Sequence, residues 1–134
     1  DACALKATGQ YGNDRIVKNV YDSLNHVIQF IQAYGTTNQR VYATTSYTSL
    51  GQVIDTIDAN GNRSHNVYDG FDRLSAYYYP STTRPTAFNA STQATALSTA
   101  GAYADATHGS DYEAFTYDNN GNRPARRSDP DRLL

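Results

Sequence analysis

The sequence predicts an all-β protein built from tandem hairpins, and three observations carry that expectation. The 134 residues include 12 tyrosines but no tryptophan or methionine. Leu, Ile, Val and Phe together number only 22, too few for a thick apolar core. Turn signals recur about every 10–13 residues through the first half of the chain, near the spacing of a β meander. A tyrosine removes roughly 150–250 Å² from water while its hydroxyl stays hydrogen-bonded, which suits a thin, half-wet sheet better than a helical bundle.

Aligning the tyrosines exposes a seven-residue unit: Tyr21-Asp22-Ser23-Leu24-Asn25-His26-Val27, Tyr47-Thr48-Ser49-Leu50-Gly51-Gln52-Val53, Tyr68-Asp69-Gly70-Phe71-Asp72-Arg73-Leu74 and Tyr117-Asp118-Asn119-Asn120-Gly121-Asn122-Arg123. A fifth copy begins with Ile57 and continues Asp58-Ala59-Asn60-Gly61-Asn62-Arg63. The fifth column carries Asn25, Gly51, Gly61, Asp72 and Gly121, residue types that tolerate positive φ. The second column carries Asp22, Thr48, Asp58, Asp69 and Asp118, whose side-chain oxygens can hold a backbone N–H two residues on. Tyr21, Tyr47, Tyr68 and Tyr117 are therefore expected to anchor successive hairpins, with the fifth column as turn pivots.

Between the turns, residues 15–21, 40–42, 53–57, 66–68 and 74–79 are β-branched and aromatic, partly alternating with polar residues, and read as strands. Further turns are expected at Gly12-Asn13-Asp14 and Gly35-Thr36-Thr37-Asn38. Leu24, Val27, Ile28 and Ile31 also fit a helical face capped by Asp22 or Ser23; the strand is preferred because the same frame precedes strands in the other copies. The pattern breaks from Pro80 to Ser110, where 19 of 31 residues are Ala, Ser or Thr, with Phe88, Leu97 and Tyr103 the bulkier exceptions. The organisation expected is hairpin repeats over 1–79, an insertion or long loop over 80–111, and a further hairpin with a tail over 112–134.

A balance of 11 basic and 13 acidic residues, net charge −2, gives no steering field for nucleic acid or an anionic membrane. No apolar run approaches the ~18 residues of a membrane span, so no insertion is expected. The opening Asp1-Ala2-Cys3 reads as an excised segment of something longer, and one cysteine makes no internal disulfide.

Tyr68 to Leu74 and Phe115 to Arg123 match most closely the Tyr-Asp-x-x-Gly-Arg-Leu unit, and Tyr47 to Tyr68 spans 21 residues, Tyr21 to Tyr47 26. On these residues the chain resembles the RHS or YD-repeat family over about 9–79 and 112–128. The resemblance implies β-hairpins winding as a strip or spiral sheet into a hollow shell, as in polymorphic toxins, insecticidal toxin complexes and teneurins. It implies encapsulation or presentation without catalysis, partners that are further repeats of a parent chain or copies of itself, and a secreted or cell-surface, bacterial location. The closing Asp129-Pro130-Asp131-Arg132-Leu133 only loosely resembles the Asp-Pro motif that ends such shells and lacks its glycines, so self-cleavage is not expected.

The remaining residues with chemistry have plainer explanations. Asp58 to Asn62 and Asp118 to Asn122 are spelled like calcium loops but lack glycine sixth and glutamate twelfth, and Asn-Gly turns explain them. His26, His65 and His108 share no metal-ligand spacing, and no cofactor is expected. A Cys3–histidine pair lacks a nucleophile elbow. Asp55, Asp58 and Asp69 could pair as acid and base, but turns account for two of them. Arg123, Arg126 and Arg127 form a small cluster beside Asp129 and Asp131 that reads as a solvated tail. Asn62 and Asn89 open glycosylation sequons that matter only on a eukaryotic secretory route. Tyr77, Tyr78 and Tyr79 place aromatics on both faces of one strand, a candidate glycan platform, although stacking on the next hairpin explains them better. The expected role is thus a structural repeat segment; the alternatives are a carbohydrate-binding β module and a self-assembling extracellular fibre or sheet subunit.

Overall fold

Extended segments of β-branched and aromatic residues, five of them stopped by an Asx or Thr turn, set the chain on a meander. The computed structural model describes residues 16–82, 100–104 and 111–123 and the backbone of 125–128. Eight antiparallel strands form one open sheet in sequence order: β1 (Lys18–Tyr21), β2 (Val27–Gln32), β3 (Arg40–Tyr47), β4 (Val53–Asp58), β5 (Arg63–Tyr68), β6 (Leu74–Tyr78), β7 (Tyr112–Thr116) and β8 (Ala125–Ser128). The fold is therefore all-β, a strip of tandem hairpins. The ambiguous stretch after Leu24 is a strand, because the hairpin closed at Asp22 lays it between β1 and β3. Cys3, the turn at Gly12-Asn13-Asp14, Phe88, Asn89, Leu97, His108 and the residues from Asp129 onward lie outside the described residues.

All five unit turns share one geometry. The second residue's N–H donates to the carbonyl of the sixth, and the fifth residue's N–H donates back to the carbonyl of the second, at 2.8–3.2 Å. The fifth residue is left-handed in every copy: Asn25 at φ 65°, Gly51 at 81°, Gly61 at 84°, Asp72 at 60° and Gly121 at 80°. This is the three-residue hairpin loop whose last member takes positive φ. In three hairpins the residue after the unit, Ile28, Ile54 or Ser75, is bulged out of register, which bends and twists the strip at one repeated place.

Alternation of strand direction puts the four Tyr-led turns at one end of the sheet. The Ile57 copy, on the β4–β5 connection, turns at the opposite end. One face carries the buried residues Gln29, Ile31, Val41, Thr44, Asp55, Ile57 and Ala76, and Ile31 and Val41 form a small cluster with Val20 and Tyr34. Part of the Ala/Ser/Thr-rich segment folds back on this chain. Gly101 N–H donates to the Gly61 carbonyl at 2.7 Å, and residues 102 and 104 bond Ser81 and Tyr79.

Gly51 combines φ 81° with a built Cβ only 3.0 Å from His26 Nε2, so a side chain there meets both strain and a neighbour. Gly51→Val should lower stability by about 2 kcal/mol more than Ser49→Val at the exposed turn position. Thermal denaturation followed by circular dichroism checks this; equal melting temperatures for the two variants contradict the assignment.

Candidate functional site

The Tyr-led end of the sheet is a ladder of identical junctions. Tyr47 hydroxyl donates to the Val27 carbonyl at 2.9 Å, Tyr68 to Val53 at 2.7 Å and Tyr117 to Leu74 at 2.8 Å. In each case the first residue of one Tyr-led unit reaches the seventh residue of the Tyr-led unit before it. The sixth residue completes the joint. His26 stacks on Tyr47 with centroids 4.7 Å apart, and the Arg73 guanidinium lies 4.3 Å over the Tyr117 ring. Gln52 Nε2 donates to the Asp72 carbonyl of the next turn at 2.6 Å. Tyr21 heads the first unit; among the described residues it has no preceding turn, and its hydroxyl accepts from Asn19 at 3.4 Å.

The second-column carboxylates are consumed within their turns. Asp22, Asp58, Asp69 and Asp118 each accept two backbone N–H groups on Oδ1, and Thr48 Oγ1 does the same. The sixth residue then binds Oδ2: His26 Nδ1 at 2.9 Å from Asp22, Arg73 Nε at 2.8 Å from Asp69, and the Asn62 and Asn122 amides at 2.6 and 3.0 Å from Asp58 and Asp118. The His26 backbone N–H leads in holding Asp22 below the usual carboxylate range; the Arg73 side chain does so for Asp69 and the Asn122 amide for Asp118. The fourth residue gives its backbone N–H to the second residue's side-chain oxygen, and at three turns its side chain stands out at the tip, with the Phe71 ring 5.1 Å from the Arg73 guanidinium carbon. Leu24, Leu50 and Phe71 stand at three successive turn tips, 63%, 68% and 81% exposed.

A second cluster sits on the buried face. Asp55, 4% exposed, receives Arg63 Nε at 2.8 Å and lies 2.9 Å from His65 Nδ1, both on Oδ1, while Ser46 hydroxyl donates to Oδ2 at 2.9 Å. Tyr103 closes over it, stacked on His65 at 4.2 Å and 11° and lying 5.0 Å from the Arg63 guanidinium carbon. Burial pushes the Asp55 carboxyl up, but the hydrogen bonds from Arg63, His65 and Ser46 and the Arg63 charge outweigh it, leaving it below the usual range. The contacts run Ser46–Asp55–His65, with the carboxylate in the middle, so the serine hydroxyl is held by a weak base rather than by the imidazole. What the cluster does is tie β3, β4, β5 and the 100–104 segment together. It was missed in the sequence because Asp55, His65 and Tyr103 have no motif spacing.

Tyr77, Tyr78 and Tyr79 are split between faces. Tyr78 stacks with Tyr112 at 5.5 Å on the buried face. Tyr77 and Tyr79 meet edge to face at 4.9 Å and 89° on the other, where Tyr79 hydroxyl donates to Glu113 at 2.9 Å. Asp55, Asp58 and Asp69 are not brought together, since Asp58 and Asp69 sit in turns at opposite ends of the sheet. Among the described residues no three His, Cys, Asp or Glu side chains group as metal ligands.

Two predictions follow from these contacts. Tyr47→Phe should cost about 1 kcal/mol in urea denaturation, and Tyr68→Phe less, because Asn66 Nδ2 also donates to the Val53 carbonyl. An equal or reversed order contradicts the ladder energetics. For pH, the carboxyls of Asp22, Asp55, Asp69 and Asp118 are all depressed in the folded chain, so their stabilisation is present above the unfolded pKa and lost as pH falls through the folded values. The stability gap between wild type and Asp55→Asn should be widest near neutrality and close below about pH 4. Denaturation curves across that range check it; a gap that persists in acid contradicts it. Comparison of the sequence with protein-family models and with curated proteins finds no match to either.

Proposed function

We propose that this chain is a non-catalytic structural segment, a strip of RHS/YD-type hairpins that encloses or presents other molecules outside the cytoplasm. The observation that supports it is one junction repeated three times: a tyrosine hydroxyl on the seventh-residue carbonyl of the preceding Tyr-led unit. Repetition of a joint between neighbours is what an extensible array requires, whereas a catalytic site needs one constellation made once. The Asp55 cluster supports the same reading, because both oxygens of its carboxylate are spent on contacts that hold strands together. Glycan binding has weaker support, since the edge-to-face Tyr77 and Tyr79 offer no flat platform.

The test is a hydrolase screen over ester, phosphoester, glycoside and peptide substrates with wild type and His65→Ala side by side, joined to a glycan array. The reading expects no turnover that His65→Ala removes and no glycan bound through Tyr77 or Tyr79. Turnover lost in His65→Ala while the circular dichroism spectrum is unchanged overturns it in favour of an enzyme.

A further inference from the structure

The three internal junctions share more than the tyrosine bond. The ninth residue counted from each leading tyrosine pairs with the residue three before the next: Gln29 with Thr44, Asp55 with His65, and Ala76 with Ala114. This register holds although the leading tyrosines are 26, 21 and 49 residues apart, as their numbers 21, 47, 68 and 117 give by subtraction. It belongs to the unit and not to the connection.

The two edge strands carry the separate halves of a fourth junction. On β1, the Tyr21 ring is 53% exposed, and no described strand pairs with the outer edge. On the other side, the unit from Tyr117 supplies Asn122 as sixth residue, Arg123 as seventh and Ala125, on β8, as ninth. The outer edge of β8 is also unpaired among the described residues. The strand directions agree, because odd and even strands alternate and β1 of a second copy would run antiparallel to β8.

We propose that copies of this chain join head to tail, β1 of one adding to β8 of the next. Lys18 lies opposite Ala125, Tyr21 hydroxyl donates to the Arg123 carbonyl, and Asn122 meets Asn25 as His26 meets Gly51 inside the chain. A second copy is the occupant because its first unit brings a leading tyrosine and an exposed strand in the register of the three junctions already made. The contact is heterologous, so it propagates into an open strip instead of closing as a dimer. The proposal rests on the structural reading above.

The test uses the full chain with Cys3→Ser, mixing one copy bearing Lys18→Cys with another bearing Ala125→Cys under mild oxidation. Cross-linking should exceed that of the shifted pair Lys18→Cys with Arg127→Cys about tenfold, since a disulfide needs Cα atoms within about 7 Å. Light scattering should show mass rising with concentration, and Tyr21→Phe should weaken association about fivefold with the melting temperature of dilute protein unchanged. A folded monomer at all concentrations, or equal cross-linking in both registers, overturns head-to-tail joining while leaving the structural reading of the single chain intact. Turnover in the hydrolase screen removes that reading without touching this result.

Discussion

The hydrogen bond from a leading tyrosine to the seventh-residue carbonyl of the preceding Tyr-led unit is the constraint on which the rest of the sheet depends. Tight turns settle pairing within a unit, but across a connection as long as the one from β6 to β7 nothing local tells one hairpin where to lie against the next. The hydroxyl supplies that information at a fixed distance from the turn, and the ring, stacked on the sixth residue in the His26 and Arg73 joints, shields the bond from water. The connection between β6 and β7 can therefore run through 79–111 while Tyr117 lands where Tyr47 and Tyr68 land.

With few aliphatic side chains, the sheet holds together through polar contacts that a thicker protein would spend on its surface. Asp55 gathers Ser46, Arg63 and His65 into one satisfied network, and Tyr103 lids it. Every oxygen of that carboxylate has a partner, which is what allows a charge to sit on the covered face of a thin sheet. The cost is dependence on ionisation, shared by Asp22, Asp69 and Asp118.

The hairpins were legible because each turn is written locally. An Asx or Thr oxygen, a residue that accepts positive φ three places later and β-branched flanks together leave one conformation, and Val27–Gln32 is a strand for the reason its frame suggested. The Ile57 copy was harder, since its spelling matches the others while its parity puts it at the far end of the sheet. Only strand order reveals that, because a sequence alignment has no directions. The Asp55 cluster was illegible for a related reason. Asp55 and His65 are partners across the β4–β5 hairpin closed by that same Ile57 copy, while Tyr103, which lids them, arrives from a segment with no periodicity at all. Tyr77, Tyr78 and Tyr79 were readable as two-faced, but which rings find neighbours depends on β7.

In the first three Tyr-led units the fourth place lends the turn its backbone N–H and leaves its side chain at the tip. Leu24, Leu50 and Phe71 project from turns whose geometry is fixed by their neighbours, and sheet spacing sets those turns about 10 Å apart. The frame and the exhibit are thus written in different letters of the same unit. A lineage carrying this unit can rewrite its outer rim one residue at a time, at constant pitch, without renegotiating the fold beneath it.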